Sequence, residues 1–332
     1  LLDVVEQTGK LRFSVTLGAP SVGSLVIDAK GTAFAATRTG NVVGIDSNGQ
    51  RVLSYRSPVG VRFGLTFNDE LGLLVVGQNN VVFGVNRRGY PVFYYPIRDD
   101  VSFGIVSLDG FCVVATASGN LVWLSQGRRR YTYALGGSVA GIERTASDGL
   151  WVLVETVVET DVKTNGVVRS DESNRNGLGK TLSKLSVFDR QRTKVFEVPD
   201  VLRFATVPFR RAGTFQAAGA VLRGHGTLQW LGEQGQNLAE IELSQLTQTS
   251  IESSQIDAMT LDDEGTIWLV VERDTLIAVS PTGQIGKAKF TGSLLAPVVD
   301  QTYQRIIVAT DDGAVFSVTR LSTGRSLSLS VK

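Results

Sequence analysis

Three side chains that carry much of protein chemistry are nearly missing from this 332-residue chain: one cysteine, one histidine and one methionine. A lone Cys112 excludes an intramolecular disulfide. Its setting, GFCVVAT, reads as a strand, so the expected thiol is buried and inert. The lack of disulfides is compatible with cytosol or periplasm. A lone His225 excludes any metal cluster built on several histidines, and a Ser-His-Asp triad has only this residue to draw on. It lies in RGHGT, a predicted turn. Neither sign of charge dominates, with 33 basic and 32 acidic side chains. No strong field therefore draws nucleic acid or an anionic membrane to the chain. No apolar run approaches the roughly 18 residues of a membrane span. Proline is scarce, at 8 residues, while glycine is abundant, at 36. That balance suits tight turns between regular strands rather than a disordered chain. The sequence opens at LLDVVEQ, inside a strand-like pattern, and the expectation is that a targeting segment has been removed.

What is present is a repeat. Residues 28 to 58, DAKGTAFAATRTGNVVGIDSNGQRVLSYRSP, read as short strands parted by Thr39-Gly40-Asn41 and Ser47-Asn48-Gly49. Glycine and asparagine supply the positive φ of such turns, and alternation gives each strand a buried face. Later stretches follow the same plan, with four strands (a to d, inside outward) per unit. Glycines at the c–d turn fall at Gly9, Gly49, Gly89, Gly127, Gly235, Gly283 and Gly324, with the fourth unit turning near Arg190 without glycine. A period of about 40 to 45 residues with four strands per unit signifies a β-propeller, a single all-β domain over 1–332. Seven four-stranded blades are expected, with eight as the alternative. Residues 1 to 17 form a hairpin, and 11 to 17 are expected to help close the ring by joining the blade that contains 294 to 331. LAEIELSQLTQ (238 to 248) is the best helical candidate and still reads as strand and loop.

The units resemble the PQQ-like, or quinoprotein-type, β-propeller repeat. KGTAFAATRTGNVVGIDSNGQRVLSY follows it closely, with Tyr55 at the aromatic end position. EGTIWLVVERDTLIAVSPTGQ and DGFCVVATASGNLVWLSQG follow it less fully. The resemblance implies bacterial envelope scaffolds, such as the propeller lipoprotein of the outer-membrane-protein assembly machine, as functional analogues. It implies protein partners in a larger assembly and a periplasmic or envelope-associated location. A quinoprotein dehydrogenase would need a PQQ pocket, a bound calcium and usually an adjacent cysteine pair, which a single cysteine cannot supply. No cofactor and no catalytic set is assigned. The Gly-His and Trp-Asp pairs do not recur from unit to unit as they do in WD repeats: the one Gly-His pair is Gly224-His225, and no Trp-Asp pair is present.

Asp262-Asp263-Glu264 and Asp311-Asp312 fall at predicted turns, where aspartate favours the backbone geometry and stays solvated. Trp123, Trp151, Trp230 and Trp268 lie in predicted strands, where core packing explains them. Basic groups at c–d turns (Arg87, Arg88, Arg128 to Arg130, Arg190, Arg192) interleave with acids at a–b turns into a solvated mixed surface. One stretch departs from the repeat. Residues 158 to 181 are inserted between strands b and c of the fourth unit and predict a projecting hairpin. Its Asp161, Lys163, Arg169, Asp171, Glu172 and Arg175, with Arg38 and Arg273 on neighbouring b–c loops, are the candidate partner-binding residues. Gln78 and His225 lie on the same side. The alternative is a small-ligand or glycan-binding propeller, or a lyase, with a site at the axis near Arg62, Arg98, Glu143, Arg203 and Asp257.

Overall fold

The computed structural model describes residues 2–5, 10–23, 25–28, 30–68, 70–158, 180–207, 215–245, 251–300, 305–323 and 326–331. These fall into two compact units, Leu1–Ala140 and Gly141–Lys332. In the first unit β1 (Leu2–Val5) and β2 (Leu11–Val15) form a hairpin. Three four-stranded sheets follow, all antiparallel meanders. They comprise β3 (Val26–Ile27), β4 (Ala33–Ala36), β5 (Asn41–Ile45) and β6 (Arg51–Arg56); then β7 (Val61–Asn68), β8 (Gly72–Gly77), β9 (Val81–Val85) and β10 (Pro91–Pro96); then β11 (Val101–Leu108), β12 (Phe111–Thr116), β13 (Asn120–Ser125) and β14 (Arg128–Ala134).

The second unit repeats the plan four times. Its sheets are β15 (Ser138–Arg144), β16 (Leu150–Val158), β17 (Lys180–Phe188) and β18 (Lys194–Pro199); β19 (Val201–Thr206), β20 (Gly219–Arg223), β21 (Thr227–Leu231) and β22 (Asn237–Glu242); β23 (Ile256–Leu261), β24 (Ile267–Val271), β25 (Thr275–Val279) and β26 (Ile285–Lys289); and β27 (Val298–Asp300), β28 (Arg305–Ala309), β29 (Val315–Thr323) and β30 (Ser326–Val331). The expected strand-and-loop after residue 238 is strand to Glu242 and one 3-10 turn at Leu243–Gln245. Strand b of the fifth unit begins at Gly219 rather than at 213. The last inner strand is short because Pro297, just before it, has no N–H to give a ladder.

Middle strands b and c read as unbroken apolar runs because both of their faces are covered. In β8, Leu73 and Val75 pack with Phe34 and Val42 of the preceding sheet, whereas Leu74 and Val76 pack with Cys112 and Val114 of the next. In β24, Ile267 and Leu269 pack with Trp230 and Leu222, whereas Trp268 and Val270 pack with Ile306 and Val308. Period-two geometry sends neighbours in sequence into different seams. Each fully buried aliphatic side chain contributes about 1.5–3 kcal/mol of transfer free energy. All four tryptophans sit in these seams with 0 to 1% of their surface exposed, as core packing requires.

Where seven blades are expected with eight as the alternative, the described residues make eight sheets, seven of four strands and one of two. The expected role of residues 11 to 17 is corrected. Strand β2 pairs with β1, and the sheet of β27 to β30 has its own four strands. The reason is a face that needs cover. Leu2, Phe13 and Val15 of the hairpin pack on Ala35, Val43 and Ile45 of the first four-stranded sheet.

Turns are held by one recurrent device. At the c–d turn an Asp or Asn side chain accepts N–H groups two and four residues on: Asp46 from Asn48 and Gln50, Asn86 from Arg88 and Tyr90. The turn needs a residue at positive φ, which Gly49 and Gly89 provide (both φ 82) and Arg192 provides in the fourth unit (φ 70). Gly9 and Gly324 lie outside the described residues. Cys112 is buried, and burial pushes its thiol up to about 12. Two outcomes follow. Trp230 donates from Nε1 to the Gly265 carbonyl at 2.7 Å. Trp230→Phe keeps most of the apolar volume but strands that carbonyl, and urea titration should read a loss of about 1–3 kcal/mol. The native thiol should resist a disulfide-exchange reagent such as dithionitrobenzoate and react only on unfolding.

Candidate functional site

The b–c turns follow a shared pattern of their own. The second residue of each turn donates its N–H to the loop that precedes strand a of the same sheet. In the first unit these bonds are Arg38 to Pro20, Gln78 to Gly60 and Ala117 to Asp100. In the second they are Gly224 to Asp200, Glu272 to Gln255 and Asp311 to Ser293. Backbone polar groups that a loop would leave bare are satisfied this way. Each unit thus presents a hydrogen-bonded rim of turns, with side chains free to point outward.

In the second unit the rim continues into the one departure from the repeat. Strands β16 and β17 pair in unbroken register from Leu150↔Phe188 to Val158↔Lys180. Strand β18 pairs β17 only from Lys184 to Phe188. Residues 155–158 and 180–183 therefore form a two-stranded ribbon beyond β18. Val158 and Leu182 share one face, and Val157 lies on the other. Their exposures are 40%, 48% and 67%. At the ribbon's base the Ser183 carbonyl accepts the Asp200 N–H at 2.7 Å. Asp200 Oδ2 lies 3.4 Å from His225 Nδ1, and the Asp200 carbonyl takes the Gly224 N–H at 2.9 Å. The ribbon is thereby tied to the next b–c turn.

The sequence reading missed Asp200. It adopts φ 55, which aspartate tolerates better than most side chains. A Cβ on Gly224 would come within 2.4 Å of its Oδ1, so only glycine allows the approach. The signal was the Pro199-Asp200 pair after an outer strand, a turn initiator by composition. Of the candidate partner-binding residues, Asp161, Lys163, Arg169, Asp171, Glu172 and Arg175 lie outside the described residues. Arg38 is exposed on a b–c turn of the first unit. Arg273 is on a b–c turn of the second, at φ 65, with its N–H on Asp257 Oδ2 at 2.8 Å.

The residues proposed for an axial site are engaged in holding sheets. Glu143 Oε2 on β15 accepts the Thr206 N–H and hydroxyl of β19 at 2.8 and 3.0 Å. Burial raises its carboxyl above the usual range, and the Thr206 bonds only partly offset this. Arg203 Nε on β19 donates to the Ile256 carbonyl of β23 at 2.7 Å. Arg62 donates to Asn80 at 2.8 Å and lies over the Phe63 ring. Asp257 is used by Arg273. Only Arg98 among them projects from a loop at the end of an outer strand, on the wall of a surface groove.

Asp262 and Asp263 depart from expectation. They are buried, each 8% exposed, rather than solvated. Asp262 Oδ1 accepts the N–H groups of Glu264 and Thr266, and Oδ2 accepts Trp268 Nε1 at 3.0 Å. Burial raises its carboxyl; Trp268 and Thr266 oppose that. Arg320, from β29, covers the turn by pairing with Glu264 and donating to Thr266. Arg305 pairs with Asp300 at 2.8 Å beside it. Among the described residues no group of three or more His, Cys, Asp or Glu is placed to hold a metal ion.

Many solved structures are similar to the chain. The crystal structure of BamB from Moraxella catarrhalis matches 92% of this chain and 85% of its own, at 16% identity and a TM-score of 0.61. KlHsv2 with loop 6CD replaced by a Gly-Ser linker matches 94% and 97%, at 12% identity and 0.63. The fold is a β-propeller. The WD40 propeller domain of Doa1 matches 92% of this chain and 94% of its own, at 13% identity and 0.52. No family model and no curated protein matches the sequence.

Next to the ribbon, Glu197 Oε1 accepts the Ser186 hydroxyl at 2.9 Å and pairs with Lys184 and Lys194, each at 3.1 Å. Partial burial pushes this carboxyl up, but the Ser186 hydroxyl and the two ammonium groups outweigh it and bring it down to about 2. A carboxylate whose folded value lies below its unfolded one stabilises the fold above the unfolded value, about 4.3. The contribution fades as pH falls from there toward 2. Glu197→Gln should cost on the order of 1 kcal/mol at pH 7, after screening at a one-third exposed site. Thermal melts of the two proteins should converge near pH 2.

Proposed function

We propose that the protein is a non-enzymatic interaction scaffold, and that it serves as a subunit of a bacterial cell-envelope assembly. Its docking surface is the second unit's b–c rim with the β16–β17 ribbon. The observation that carries this reading is the ribbon. Its strands are fixed in register, yet Val157, Val158 and Leu182 face water on both sides. A two-stranded ribbon with apolar side chains on two wet faces is marginal alone and gains stability from a partner that covers it. The rim beneath it is rigid, because each turn is bonded to the loop that precedes strand a of its own sheet. The polar residues considered for an axial site, Arg98 apart, bind neighbouring strands and turns instead. The likeness to BamB and the PQQ-like repeats support the envelope setting, and protein partners are what such a surface selects.

The test is to replace 160–179 by a short Gly-Ser linker and, separately, to make Val157→Ser with Leu182→Ser. Co-purification with envelope partners from the source cell should fall about tenfold or more, as expected for two apolar anchors removed from an interface. The melting temperature should stay within a few degrees of wild type, because neither Val157 nor Leu182 is buried in a seam. Survival of every interaction in both variants would sink the docking assignment, and recovery of the protein outside the envelope fraction would sink the compartment.

A further inference from the structure

We propose that a groove in the first unit, between its second and third four-stranded sheets, binds an extended acidic segment of a protein partner. The groove has a volume of about 380 Å³. One wall is Tyr95, Ile97 and Arg98 at the end of β10; the other is Val122, Arg129 and Thr132 on β13 and β14. It lies in a different unit from the ribbon, so its failure leaves the rim assignment standing.

Charge decides the occupant. Among the described residues neither Arg98 nor Arg129 has a carboxylate within ion-pair range, although both are exposed. The acids beside Arg98 are already engaged. Asp99 Oδ2 accepts both the N–H and the hydroxyl of Ser118, and the Ser118 and Thr116 hydroxyls hold its carboxyl below the usual range. Asp100 Oδ1 accepts Asn80 Nδ2 at 2.7 Å and faces Arg62 at 3.8 Å. Arg128 and Arg130 flank Arg129 on the same exposed outer strand and extend the positive field. Guanidinium forks on the two walls match carboxylates, and the half-buried Tyr95 ring offers the apolar contact, Ile97 and Val122 being almost wholly buried beneath the groove's lining. An extended chain that alternates acidic and apolar residues sends its carboxylates to one side and its apolar groups to the other. A continuous polyphosphate fits worse. Asp99 also lines the groove and the whole chain carries a formal charge of only +1, which opposes an unbroken run of phosphates more than spaced carboxylates that can avoid Asp99.

Fluorescence anisotropy with a labelled Glu-Val repeat octapeptide tests this on the full chain, with a Gln-Val repeat as the control. Wild type should bind the acidic peptide saturably and the control much more weakly. Arg98→Gln with Arg129→Gln should weaken binding about tenfold or more, as for lost charge-assisted hydrogen bonds. The charge-matched pair Lys10→Gln with Arg12→Gln, on the hairpin, should stay within about twofold, since screening confines the effect to nearby groups. Arg129→Glu should reverse the preference toward a Lys-Val repeat. Circular dichroism checks that each variant keeps its strands. No saturable binding, equal binding of the Gln-Val repeat, or equal loss in the two double variants would overturn the proposal. So would tighter binding of oligothymidylate or of phosphatidylglycerol vesicles that depends on Arg98 and Arg129.

Discussion

The structure depends on apolar strands buried on both faces. A four-stranded sheet of this length leaves its middle strands with two oily surfaces, and neither can face water. Stacking one sheet on the next is the way this chain disposes of them. The seams that run Phe34 to Leu73, Leu74 to Cys112 and Trp230 to Ile267 are the same contact repeated with different side chains. The hairpin of β1 and β2 obeys the same rule on a smaller scale, setting Leu2, Phe13 and Val15 against Ala35, Val43 and Ile45 of the first four-stranded sheet.

Everything polar is arranged around that constraint. Side chains of inner strands reach across seams to backbone groups of the next sheet, as Glu143 does to Thr206 and Arg203 to Ile256. Asn68 does so in the first unit, donating to the Leu108 carbonyl at 2.7 Å. What remains free is at the rims and on the outer strands, where Val157, Leu182, Arg98 and Arg129 have no seam to serve.

Much of this was legible in the sequence because it is local. In the first two four-stranded sheets the c–d turn is written as an Asp or Asn three residues before a glycine, and in the fourth Arg192 takes the glycine's place three residues after Asp189. The tryptophans and Cys112 sat in apolar runs that could only be buried. What escaped was non-local. Nothing near Asp262 announces that Arg320, from another sheet, folds over the turn and takes it out of solvent. Nothing in the hairpin's pattern distinguishes joining a distant sheet from covering a neighbouring one. Asp200 was missed for a related reason: its partners Ser183, Gly224 and His225 come from two different sheets.

Leu73 and Leu74 are consecutive, yet they belong to different seams. A single inserted residue in such a strand would exchange every side chain beyond it between its two neighbours, mismatching both contacts at once. Two inserted residues would restore the parity and merely lengthen the strand. Length variation inside the middle strands is therefore tolerable only in even steps, whereas the turns between them are under no such rule.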